Sequence, residues 1–129
     1  MIEIDAASRT GVDDMRDLLA VLLDGSEFTE YKATFGRTLI CGTGRIGGLP
    51  VNLAILDFAF LGGSLGSAMG EKIARLLLDS LNERRAAIVI SRSGGARMQE
   101  SLLSLMQMAK TSAVLARLRQ QAVPFISLC

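Results

Sequence analysis

Residues 86–100 read AAIVISRSGGARMQE. A run of apolar and β-branched residues passes straight into two glycines, and the chain then restarts at Ala96, Arg97 and Met98 as if opening a helix. The run is strand-like and has no polar alternation, which suits a strand covered on both faces, as in parallel sheets. After the glycines, Met98, Leu102, Leu105, Met106, Ala109, Ala113, Leu115 and Leu118 predict a helix over residues 96 to 120. They spread around most of its circumference, so this helix should be covered on more than one side.

Working outward, the same order recurs on the amino-terminal side. VNLAILDF at residues 51–58 is another nearly continuous apolar run, followed by a glycine-rich turn over residues 60 to 66. Met69, Ile73, Leu76, Leu77 and Leu81 then line one face of a predicted helix, with Lys72, Arg75, Asp79 and Asn82 on the other. On the carboxyl-terminal side, Val123-Pro124 leads into FISL, read as a short buried strand. Strand, helix, strand, helix, strand implies two right-handed crossovers and parallel strands.

Ahead of them, residues 37 to 46 are strand-like, and Gly47-Gly48 before the next run signals a tight hairpin. A short amphipathic helix is predicted from 11 to 23 on Val12, Met15, Leu18, Leu19 and Leu22, with Thr10 and Asp13 as its start signal and Asp24-Gly25-Ser26 as the turn that ends it. The expected fold is α/β with a mixed sheet, in a single domain over residues 1–129.

Composition narrows the chemistry. Fourteen Lys and Arg against thirteen Asp and Glu leave a net charge of +1 with no charged block, which nominates neither nucleic acid nor a membrane surface. The start MIEIDAASRT lacks the apolar core of a signal peptide, and a soluble, cytoplasmic protein is expected. Cys41 and Cys129 lie far apart and read as ordinary reduced, mostly buried residues. The chain has no histidine, which excludes Ser-His-Asp and Cys-His catalysis and His-based zinc sites. Catalysis would have to come from carboxylates, backbone groups or a borrowed cofactor.

Gly42, Gly44 and Gly47 in CGTGRIG match the spacing of a dinucleotide fingerprint. That fingerprint works where a strand turns into a helix, whereas here Gly48, Leu49 and Pro50 lead into a second strand, so the hairpin is the reading adopted. The turns placed between strand and helix are Leu61-Gly62-Gly63-Ser64 and Ser93-Gly94-Gly95-Ala96. Two readings fit them: simple tight turns, or an oxyanion site whose free N–H groups hold charge developing on a carbonyl oxygen.

SGGARMQESLLSLMQMAKTSAVLARL, DFAFLGGSLGSAMGEKIARLL and LLDGSEF together resemble the carboxyltransferase β subunits of bacterial acetyl-CoA carboxylases, in the crotonase superfamily. The resemblance implies the N-terminal part of a crotonase-like spiral. It also implies carboxyl transfer from carboxybiotin to acetyl-CoA, giving malonyl-CoA through an enolate, with the biotin ureido group as base. Gly94, Gly95 and Ala96 would then lie against the acyl-CoA thioester, and Gly62, Gly63 and Ser64 would shape the neighbouring wall. Arg97 is either a ligand for a CoA phosphate or a solvated surface residue. The implied partners are an α-type carboxyltransferase subunit and a biotin carboxyl carrier protein, in an oligomer.

Two departures stand against the family pattern. No cysteine of the family's four-cysteine zinc ribbon precedes residue 12, so no zinc is expected, and the sequence stops before the family's further glycine turn. It therefore reads as a fragment or an incomplete paralogue, inactive alone and prone to associate. A non-catalytic assembly module is the alternative. A crotonase-type hydratase is weaker, because Glu100 stands without a second acid.

Overall fold

A computed structural model describes residues 11–25, 28–31 and 39–129. Helix α1 (Gly11–Leu22) comes first, then the short strand β1 (Thr29–Glu30), then β2 (Leu39–Ile46) and β3 (Leu49–Leu56). Helix α2 (Ser67–Glu83), strand β4 (Ala86–Ile90), helix α3 (Leu102–Gln120) and strand β5 (Phe125–Leu128) complete the chain. The sheet runs β1-β2-β3-β4-β5. The first three strands pair antiparallel, and β3, β4 and β5 run parallel.

The hairpin expected at Gly47-Gly48 is present. Leu39 pairs with Leu56 and Ile46 with Leu49, and the two turn residues take φ of +57° and +77°, as a two-residue hairpin of matching twist demands. Gly42 and Gly44 belong to strand β2. A Cβ at Gly44 would stand 2.6 Å from the Leu23 side chain, and one at Gly42 would collide with the Phe28 ring. These glycines let the end of α1 and the chain after it lie on the strand, and the motif spacing has a packing cause.

The apolar runs of β3 and β4 are continuous because both faces are buried. Val51, Leu53 and Ile55 with Ile88 and Ile90 face Met15, Leu19 and Leu23 of the α1 segment. Ala54 and Leu56 with Ala87 and Val89 face Met69, Leu76, Leu77 and Leu81 of α2, and Val114 and Leu118 of α3. Side chains alternate between the faces with the period of two that strands impose. Two right-handed crossovers stepping in one direction place α2 and α3 on the same side of the sheet. Between sheet and α2, buried Asn52 donates from Nδ2 to Ser80 Oγ at 2.9 Å, and Ser80 Oγ donates to Leu76 O at 2.9 Å.

Three expectations need correction. The helix predicted from residue 96 begins at Leu102. Residues 96–97 are drawn into a bridge with Leu65, Met98–Glu100 form a 3-10 turn, and Ser101 takes φ +49°. Those tertiary hydrogen bonds override local helix preference. FISL is exposed rather than buried, since β5 is the edge of the sheet and Phe125, Ile126 and Leu128 stay open. Cys41 is buried but Cys129 is exposed. The turn signal at Asp24 holds, its carboxylate accepting the Gly48 N–H at 2.6 Å, while Thr10, Ser26 and residues 32–38 fall outside the described residues.

Candidate active site

Strands β3 and β4 are parallel, so the chain leaves both at the same edge of the sheet, where open α/β sheets bind ligands. The two glycine turns meet there. Gly94 N–H donates to Gly62 O at 2.8 Å, Ser93 Oγ to Gly63 O at 2.6 Å and Gly95 N–H to Ser93 Oγ at 3.0 Å. Leu65 N–H donates to Gly95 O at 2.8 Å, and Arg97 N–H donates to Leu65 O at 2.9 Å. Gly63 has to be glycine: its φ is +64°, and a Cβ would run into the Arg92 carbonyl.

In the second turn, the N–H groups of Ser93 and Ala96 are left over among the described residues. The Ala96 N–H has no hydrogen-bond partner among the described residues, although its neighbours on both sides are bonded. Ala96 is exposed. A fixed, unpaired N–H beside two interlocked turns suits a developing oxyanion, since a preorganised donor needs no rearrangement when charge appears. The donor differs in kind from the expected one. It comes from an extended bridge residue six positions ahead of α3, so the helix dipole is not its source.

The predicted site residues are thus brought together with distinct parts. The Gly94 and Gly95 N–H groups and the Gly62 and Gly63 carbonyls are spent on one another or on Ser93, while the Gly63 N–H bonds Phe60 O and Gly95 O accepts from Leu65. Ser64 Oγ accepts from Arg97 Nε at 3.1 Å. Arg97 also donates from Nη1 to Glu100 Oε1 at 3.2 Å and lies over the Phe60 ring, 5.9 Å from its centroid. It is half-buried within the frame of the site, and is not a solvated surface side chain.

Two residues escaped the sequence reading. Glu100, which stood alone in sequence, accepts Ser67 N–H at 2.6 Å across 33 positions. The Ser67 N–H, followed by Arg97, holds its carboxyl below the usual glutamate range. Ser93 is the other, the hydroxyl that bonds both turns. Beside the turns a cavity of about 170 Å³ is walled by Met15, Leu18, Ile55 and Phe58, with Asp57 and Arg92 as its polar members.

A mixed sheet with same-side crossovers and paired glycine turns at the strands' carboxyl ends defines a crotonase-type carboxyltransferase fold, and solved structures agree. Transcarboxylase 12S with hydrolysed methylmalonyl-coenzyme A bound matches at TM-score 0.75 and 28% identity, over 81% of this chain and 23% of that one. A Pseudomonas malonate decarboxylase hetero-dimer matches at TM-score 0.75 and 30% identity, over 87% of this chain and 50% of that one. The carboxyl transferase domain profile matches residues 3–54 and 51–129, and the chain belongs to that family.

Among curated relatives, the acetyl-coenzyme A carboxylase carboxyl transferase subunit beta of Citrifermentans bemidjiense is 59% identical over 90 residues, 70% of this chain and 32% of its own length. That of Methylacidiphilum infernorum is 50% identical over 102 residues, 79% of this chain and 37% of its own. The chain spans about a third of the length of these relatives.

Proposed function

We propose that this chain is the acyl-CoA-binding part of a β-type subunit of acetyl-CoA carboxylase carboxyltransferase, which moves a carboxyl group from carboxybiotin to acetyl-CoA and yields malonyl-CoA. The observation that carries the reading is the unpaired Ala96 N–H at the carboxyl edge of the parallel strands. Removing a proton from the acetyl methyl group puts negative charge on the thioester oxygen, and an N–H held there lowers the barrier to that enolate. The enolate carbon would then bond to the transferred carboxyl carbon, whose bond to the biotin ureido nitrogen breaks in exchange. Biotin, when bound, supplies that carboxyl group and a ureido base, and no residue of this chain is assigned to it. A chain without histidine suits this chemistry.

Ala96 is the donor in this scheme, with Gly94, Gly95, Gly62, Gly63 and Ser64 as the wall that holds it. The cavity beside Arg92 is open to the apolar arm of the acyl-CoA. Arg97 belongs to the frame rather than to a CoA phosphate, because its Nε and Nη1 are already engaged. An α-type subunit and a biotin carboxyl carrier protein are the proposed partners, in a cytoplasmic oligomer. No described helix is long and apolar enough to cross a membrane.

The test is Ala96→Pro in the assembled enzyme. Loss of one oxyanion donor should lower turnover roughly 10²-fold. The fold should survive, since the Ala96 N–H makes no internal hydrogen bond among the described residues. Unchanged malonyl-CoA formation would remove Ala96 from the mechanism. A second reading, an assembly module without turnover, draws on the exposed leucines and methionines of α3. It requires a chain that binds the α-type subunit yet adds no transferase activity in the same assay.

A further inference from the structure

The interlock of the two turns depends on a side chain to which the chemistry above gives no part. Glu100 ends the 3-10 turn that follows the second glycine turn. Its Oε2 accepts the N–H of Ser67, the first residue of α2, where the N-cap Gly66 brings no side chain of its own. Its Oε1 accepts from Arg97, which reaches on to Ser64 in the first turn. One carboxylate therefore bonds to the segment after β3 and to the segment after β4. A Cβ on Gly66 would stand 2.5 Å from Glu100 Oε1 and 3.0 Å from its Cδ, so the absence of a side chain at Gly66 is what admits Glu100. Negative charge is also favoured at the positive end of a helix.

Ala96 sits between the two residues that Leu65 binds, Gly95 and Arg97. Any slip of the α2 start relative to residues 97–100 would move Leu65 and turn the Ala96 N–H with it. We propose that Glu100, acting through Arg97, is a positioning residue for carboxyl transfer: it fixes the register of the two glycine turns and so the direction of the Ala96 N–H. This rests on the reading of Ala96 as the oxyanion donor. Glu100 makes no contact with the thioester in this scheme, so the effect belongs to turnover and not to the affinity for acetyl-CoA.

The experiment uses the assembled enzyme with Glu100→Gln, Arg97→Met, the double variant, and Glu71→Gln as control. Glu71 makes comparable ion pairs with Arg75 and Lys110, away from the turns. Two readouts are taken: kcat and KM for acetyl-CoA, and amide hydrogen exchange over residues 61–67 and 93–101. A donor displaced by a fraction of an ångström should lower kcat roughly tenfold in each single variant, with KM within about twofold of the parent. The double variant should be no worse than the poorer single, because the two residues act as a unit. Exchange should quicken in both segments together, and Glu71→Gln should change neither readout.

Unchanged kcat in Glu100→Gln, additive losses, or faster exchange confined to residues 97–101 would each overturn the proposal. If the parent enzyme transfers no carboxyl group, the functional reading fails instead. The exchange pattern then decides by itself whether Glu100 sets the register.

Discussion

Ser93 closes one turn against the other, giving its proton to Gly63 O and accepting one from Gly95 N–H. Small residues suffice for the proposed chemistry, which asks only a backbone N–H of the site. The glycine pairs were legible in the sequence, since few other reasons exist for two glycines between a strand and a helix. Glu100 was not legible, because its partner Ser67 comes near only after β4 has paired with β3. Cys41 offers a separate test at this scale. Burial pushes its thiol up to about 12, so the folded chain keeps the proton while an unfolded chain gives it up at lower pH. Stability from this group is full below the unfolded thiol's range and is lost as pH rises through that range toward 12. At pH about 8, where an ordinary thiol begins to ionise, an alkylating reagent should leave Cys41 unmodified in the folded chain and label it in urea. Equal labelling in both states would refute its burial.

At the scale of elements, the strands and the hairpin could be read because their signal is local: β-branched runs, a glycine pair, a period of two. The start of α3 could not, because Ala96 and Arg97 are claimed by Leu65, a residue far off in sequence. The same limit applies to β5, whose apolar FISL looks buried until the sheet order places it at an edge. Helix α2 is the element that binds the layers together, with Leu76 and Leu77 almost wholly enclosed. Leu77→Ala should lower the free energy of unfolding by about 2–5 kcal/mol, the range for emptying a packed leucine site. Urea denaturation would show it as a lower midpoint at unchanged slope, and a loss near zero would mean that α2 is not packed as described.

For the whole molecule, the two sides of the sheet are unequal. One carries α1 and the other α2 and α3, and the outer side of α3 leaves Leu102, Leu103, Leu105, Met106 and Met108 exposed. A surface of that kind in a chain spanning a third of its relatives' length suits burial by a further protein surface. Leu105→Lys should leave stability within about 0.5 kcal/mol of the parent, as surface substitutions do. If the proposed α-type subunit covers this face, the substitution should also weaken that association roughly tenfold in sedimentation or calorimetry, the cost of losing one apolar anchor. Undiminished association would place the partner elsewhere. The pairing of the strands also carries a consequence in time. The β2–β3 hairpin closes over two residues, whereas Val51 must find Ala86, and Ala87 must find Phe125, across a whole helix each. Hairpins form in about 1–10 μs, and longer closures carry a greater entropic cost. The hairpin is therefore expected to form first and to serve as the template on which each later crossover docks, so the apposition of the two glycine turns is expected to follow it.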